Sequence, residues 1–172
     1  GSLDPILGLI KEHKGLNICL LGYGGAGKAV AAFLIKNMRG SQNLKIFNRT
    51  EIKKSLKKSD VLFLSAEVLG DYIDSFDLII NATTVGTNET INESPIPYDL
   101  FSKMKTNTLI YDINYDPPKT TLIKIAEKKV MQHGIYGIAV ISGEGVKGYY
   151  ESRGYYEKDT FMIKDFTIWK VF

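Results

Sequence analysis

Three glycines at fixed spacing, Gly22, Gly24 and Gly27 in the stretch Gly22-Tyr23-Gly24-Gly25-Ala26-Gly27, are the residues of this chain best suited to holding a ligand. A G-x-G-x-x-G spacing allows a tight turn at the first glycine, approach of the backbone to a pyrophosphate at the second, and close helix-on-strand packing at the third. The chemistry is anion capture, because the free N–H groups and positive end of a following helix face the phosphates of a dinucleotide. A bare tight turn is the structural alternative. Lys28 suggests the other phosphate loop, G-x-x-x-x-G-K-[ST], but Ala29 stands where that loop needs Ser or Thr, which disfavours ATP.

A second group, Asn48-Arg49-Thr50, falls where chains that bind NAD carry Asp or Glu for the ribose 2′-hydroxyl. No acid appears before Glu51. Arg49 can pair with a 2′-phosphate through charge-assisted hydrogen bonds, and Asn48 and Thr50 add short polar side chains. The pattern predicts NADP rather than NAD. Lys53, Lys54, Lys57 and Lys58 follow and can add attraction for the same phosphate, although a solvated helix face is the simpler reading.

These groups need a scaffold. Apolar runs rich in Ile, Leu and Val recur at 17–21, 44–47, 61–64, 78–81, 108–113 and 135–141, as parallel strands buried on both faces require. Between the first two, residues 25–38 place Val30, Phe33 and Leu34 at helical spacing. A second helix is expected over 118–129, with Pro118 in its first turn, a stripe of Leu122, Ile125 and Ala126, and Lys128 and Lys129 at its C-terminal end. The polar segment 89–97, with Pro95 and Pro97, reads as a loop. Strands alternating with helices predict an α/β fold: a doubly wound, mostly parallel Rossmann-type sheet that binds ligands beyond the carboxyl ends of its strands.

At 172 residues the chain is long enough for one domain, 1–172, with a substantial core; 44% hydrophobic and 24% charged residues are ordinary for a globular protein. A formal charge of +3 is too small to imply nucleic acid. No apolar run approaches the roughly 20 residues of a membrane span, so no membrane partner is expected. The one cysteine, Cys19, lies in an apolar run and reads as a buried structural thiol, in keeping with a cytoplasmic setting. Asp112 ends a strand with no lysine partner in sight, so no acid–base pair is assigned and the catalytic residues stay unknown.

The stretches GYGGAGKAVA (22–31), NRT (48–50), DLIINATTVG (77–86) and YDINYDPPKTTLIKIAEKK (111–129) resemble, in order and spacing, the NADP-binding domain of shikimate dehydrogenases over residues 16–129. The resemblance implies that Asn81, Ala82 and Thr83 lie beside the nicotinamide ribose and that Tyr115 faces the nicotinamide and substrate cleft. Gly86 matches the family, whereas Thr84 stands where it often has Pro and Thr87 where it has Met. The family's substrate domain, with its catalytic lysine, has no counterpart in these residues. Asp4 lies roughly where the family has a catalytic aspartate, but Ser2-Leu3 replace the Asn-Thr expected before it. The resemblance therefore implies the cofactor half of a shikimate/quinate dehydrogenase-like oxidoreductase, inactive alone, with a separate domain or chain for substrate.

Residues 130–172 diverge. Within them 138–166, including the paired Tyr149-Tyr150, Arg153-Gly154-Tyr155 and Phe161-Met162-Ile163-Lys164, resemble the closing segment of GNAT acetyltransferases of the Elongator catalytic subunit type. Residues 100–137 offer no glycine-rich turn for coenzyme A, so a structural role fits better: 135–141 as a sixth parallel strand, 145–153 as a short helix, and 155–169 as a hairpin closing the sheet edge. A non-catalytic or chimeric Rossmann scaffold and an acetyltransferase remnant are the alternatives to the dehydrogenase reading.

Overall fold

Five of the apolar runs pair as a parallel sheet: β1 (Asn17–Leu21), β2 (Asn43–Asn48), β3 (Val61–Ser65), β4 (Leu78–Asn81) and β5 (Leu109–Asp112), in the order β3-β2-β1-β4-β5. The computed structural model describes residues 3–50, 52, 61–114, 116–133, 138–140, 148, 151–152, 156–158 and 161–164. The chain steps outward from β1 to β2 and β3, then crosses back to add β4 and β5 on the other side. The strand order reverses at β1, so a crevice opens between the carboxyl ends of β1 and β4.

Side chains alternate between the two faces of the sheet. Cys19, Leu21, Phe47, Ile79 and Ile110 pack with Leu122, Ile123 and Ala126 of α3 (Thr121–His133) and with the 3-10 segments Ala66–Asp71, Ile73–Ser75 and Tyr98–Lys103. Ile18, Leu20, Leu44, Ile46, Leu78 and Ile80 face the other way, under α1 (Asp4–Glu12) and α2 (Gly25–Asn37). Burial on both faces is why these strands read as unbroken apolar runs.

Two helices differ from expectation. α1 was not anticipated; Ile6 and Ile10, one helical turn apart, are buried, each worth about 2 kcal/mol by area, and the buried Gln42 side chain donates to Ile10 O (2.7 Å) and to His13 O at its C-terminal end. α3 starts at Thr121 rather than Pro118 and runs to His133. The Thr120 hydroxyl accepts the Ile123 N–H (3.4 Å), so Thr120 is the N-cap and Pro118 stays outside the helix. Lys129 consequently sits within the helix, buried, with its ammonium 4.3 Å from the Tyr98 ring centroid, not at the helix end.

The sixth strand is the main correction. β6 (Ile138–Val140) lies against β5 but pairs antiparallel with β8 (Phe161–Lys164), which pairs with β7 (Tyr156–Lys158), in a separate sheet ordered β6-β8-β7. A returning hairpin strand offers β6 an antiparallel ladder, slightly more stable per residue than the parallel one. Within the hairpin range expected at 155–169, β7 and β8 pair antiparallel but in this separate sheet, not at the edge of the parallel one; of the helix expected over 145–153, Gly148 and Glu151 are helical, and most of the rest of both ranges lies outside the described residues. Among the described residues no helix is long and apolar enough to cross a membrane.

Candidate functional site

The glycine turn leaves β1 at the crevice. Gly22 donates its N–H to Phe47 O (2.8 Å) and adopts φ +92, with Ala82 O 3.0 Å and Thr83 Cγ2 2.9 Å from where a Cβ would be. A Cβ on Gly27 would lie 2.3 Å from Gly22 O, so α2 can pack on the end of β1 only without one. Gly24 and Gly25 are different: a Cβ on either meets nothing within 4 Å. Two glycines are therefore demanded by the protein's own packing, and two border open space. Gly24 is the N-cap of α2, without a capping side chain, and the first turn holds no acid. Gly24, Gly25 and Ala26 are exposed there, so N–H groups with no partner inside the helix and the positive helix end face outward. This cradle suits a diphosphate.

At the end of β2, Asn48 is spent on the scaffold. Its Oδ1 accepts the Tyr23 N–H (3.1 Å) and its Nδ2 donates to Thr50 O (2.8 Å), which pins the glycine turn to the Arg49-Thr50 bend. The Tyr23 ring meets Phe63 of β3 edge-on at 5.1 Å, with Lys28 Nζ 6.0 Å from its centroid. Arg49 and Thr50 are exposed. Arg49 lines a cavity of about 550 Å³ together with Ile52, Phe63, Leu64, Ser65 and Val68. Lys53, Lys54, Lys57 and Lys58 lie outside the described residues.

On the other side of the crevice, β4 and β5 end in a buried polar cluster. Asn81 and Asp112 are register partners, 0% and 1% exposed. Asn81 Nδ2 donates to Asp112 Oδ1 (3.0 Å), as does the Asn114 N–H (3.0 Å), and Thr120 Oγ1 donates to Asp112 Oδ2 (2.7 Å). The Thr83 N–H (3.0 Å) and Oγ1 (2.7 Å) both donate to Asn81 Oδ1, and Asn114 Nδ2 donates to Thr83 O (2.9 Å). Burial raises the Asp112 carboxyl above its ordinary value, against the lowering effect of the hydrogen bonds from Thr120, Asn114 and Asn81. Burial likewise raises the Cys19 thiol well above its ordinary value, with the Lys45 ammonium pulling the other way, which agrees with a structural thiol.

The structure thus brings Gly22, Tyr23, Gly24, Gly25, Ala26, Gly27, Asn48, Arg49, Thr50, Asn81, Ala82 and Thr83 to one edge of the sheet. Tyr115 lies outside the described residues, and Asp4 opens α1. Sequence reasoning missed Thr120 and Asn114 and read Asp112 as isolated. The signal was a polar residue closing each of two apolar strands, Asn81 and Asp112. Among the described residues no group of His, Cys, Asp or Glu is arranged to hold a metal ion.

A parallel sheet in this order, with a glycine turn at its switch point, defines a Rossmann-type fold. Most of the chain is similar to part of the shikimate dehydrogenases. It is 40% identical over 119 residues to the shikimate dehydrogenase (NADP(+)) of Pyrococcus furiosus, covering 69% of this chain and 41% of that one. Its likeness to the shikimate dehydrogenase (NADP(+)) of Methanococcus aeolicus, 28% identical over 161 residues, covers 90% of this chain and 52% of the relative. The crystal structure of a shikimate dehydrogenase in complex with NADP+ superposes with a TM-score of 0.55 at 32% identity, covering 74% of this chain and 47% of that one. No family model matches. The chain spans about two fifths to one half of the length of these relatives. An alignment covering 90% of the chain cannot stop at residue 129, so the likeness extends into the region read as divergent. The comparisons lend no support to the acetyltransferase resemblance of 138–166.

Proposed function

We propose that residues 1–172 act as one NADP(H)-binding module of a shikimate/quinate dehydrogenase-type oxidoreductase, with the substrate pocket and proton-transfer groups supplied by a domain or chain outside these residues. The observation that carries this reading is the convergence of an open glycine cradle at Gly24 and Gly25 with the exposed Arg49 on one edge of the sheet. The α2 N-terminus takes the pyrophosphate, Arg49 and Thr50 take the 2′-phosphate, and the cavity lined by Arg49, Phe63 and Val68 takes the adenosine end. Asn81, Ala82, Thr83 and Tyr115 belong to the nicotinamide end. Bound NADP(H) supplies the hydride chemistry; this chain orients the cofactor.

Asp112 has the carboxylate chemistry of a general base but not its setting. Its described hydrogen bonds go to Asn81, Asn114 and Thr120, so it holds loops instead of passing protons to a substrate. Titration with NADPH and NADH tests the reading. NADPH is expected to bind the more tightly, and Arg49→Ala to weaken it about tenfold or more while NADH binding changes little. Absence of any dinucleotide binding overturns the reading and leaves the non-catalytic scaffold.

A further inference from the structure

We propose that Asp112 is a positioning residue for the nicotinamide end of the cofactor, acting through a closed ring of hydrogen bonds that locks the loop after β4 to the loop after β5. This rests on the NADP(H) reading above. The ring runs from Asp112 Oδ1 to the Asn81 amide, from Asn81 Oδ1 to Thr83, from Thr83 O to the Asn114 amide, and from the Asn114 N–H back to Asp112 Oδ1. Both strands end inside it: Ile113 N–H still donates to Asn81 O (3.1 Å), and regular pairing stops at the Asn81 and Asp112 register pair. From there the ring, not the sheet ladder, directs the backbone.

The carboxylate has a role an amide cannot fill. Ionised Asp112 only accepts, and its described partners Asn81, Asn114 and Thr120 all donate to it, which sets the polarity of the whole circuit. Oδ2 anchors the ring to α3, because Thr120, which donates to it, also caps the helix through the Ile123 N–H. An amide at position 112 places an N–H donor against a hydroxyl that now donates, so Thr120 must turn round or the amide must flip onto Asn81 and Asn114. Either change shifts the loops that start at Ala82 and Ile113.

The adenosine end is held separately. Gly22 is fixed by Phe47 O, Tyr23 by Asn48 Oδ1, and Asn48 by Thr50 O; none of these bonds belongs to the ring. Thr83 Cγ2 and Ala82 O lie 2.9 and 3.0 Å from where a Cβ on Gly22 would be, but the four hydrogen bonds of the ring join Asn81, Thr83, Asp112 and Asn114 and do not reach the glycine turn. Disturbing the ring should therefore weaken a ligand that has a nicotinamide half and spare one that lacks it. A residue that merely stabilised the fold would not make that distinction.

The test is calorimetric titration of the full 172-residue chain and its Asp112→Asn variant with NADPH and with adenosine 2′,5′-bisphosphate. For Asp112→Asn the NADPH Kd should rise about tenfold, the equivalent of one charge-assisted hydrogen bond, while the adenosine 2′,5′-bisphosphate Kd stays within about twofold. Asn114→Ala, at a half-buried position, keeps the backbone N–H that donates to Asp112, removes the bond to Thr83 O and should show the same split at about threefold. It also decides the matter should the Asp112 variant not fold. Equal weakening of both ligands, or no change in either, overturns the proposal. Failure of the unaltered chain to bind NADPH or the bisphosphate overturns the cofactor reading itself, and this inference with it.

Discussion

The carboxyl ends of β1 and β2 and those of β4 and β5 face each other across one crevice, and the two are built by opposite means. On the first side, side chains are removed: Gly22 and Gly27 let backbone meet backbone, and Gly24 and Gly25 leave the helix end bare. On the second, the space under the loops is filled with Asn81, Thr83, Asp112, Asn114 and Thr120, joined by hydrogen bonds. A phosphate needs bare N–H groups to approach, whereas a ring that must be presented at a fixed angle needs stiff loops. A glycine turn does the first at the cost of rigidity, and a satisfied polar cluster does the second at the cost of desolvation.

Filling the glycine side should do the most damage. Gly27→Val forces a Cβ to within 2.3 Å of a backbone carbonyl that cannot move without unseating β1, and a loss of about 4 kcal/mol or more in urea denaturation is expected. Emptying the polar side comes next. Asp112→Ala leaves buried donors on Asn81, Asn114 and Thr120 without their acceptor and should cost about 3 kcal/mol.

The same residue predicts a pH signature. Its carboxyl is raised in the folded chain, so as pH climbs from the ordinary carboxylate value to the folded one the unfolded state releases the proton first, and the contribution of this group to stability falls. Asp112→Asn should lack that component. The difference in urea midpoint between parent and variant, followed from acid to neutral pH, measures it; a difference that does not vary with pH would mean that Asp112 is not raised.

Smaller effects sharpen the contrast. Gly25→Ala meets open space at the first helical position, so stability should hold or rise by about 0.5 kcal/mol while NADPH binding weakens, because the new methyl occupies the cradle. A large loss of stability there would show that all four glycines serve packing alike.

Much of this molecule is readable along the chain. β1 and β4 fall at 17–21 and 78–81 as expected, because strands buried on both faces must be continuously apolar and are stopped by polar residues. The glycine turn and α2 are equally plain. α1 escaped because it is a short segment in which Ile6 and Ile10 are the fully buried residues among those described, and its docking depends on Gln42, far away in sequence. The start of α3 was misplaced because Pro118 suits a first turn, whereas the capping hydroxyl belongs to Thr120.

What the sequence determined by itself is what local rules dictate: the alternation of strand and helix, the glycine spacing, and a cation in place of an acid after β2. Tertiary structure decided which neighbours those elements acquire. It turned β6 to pair with a returning hairpin, divided the glycines into packing and open positions, and closed Asp112, Asn81, Thr83 and Asn114 into a ring. The physical reason is range. Periodicity and turn chemistry act over a few residues, but a buried carboxylate is satisfied by donors on another strand and another helix, and these meet only when the sheet is assembled.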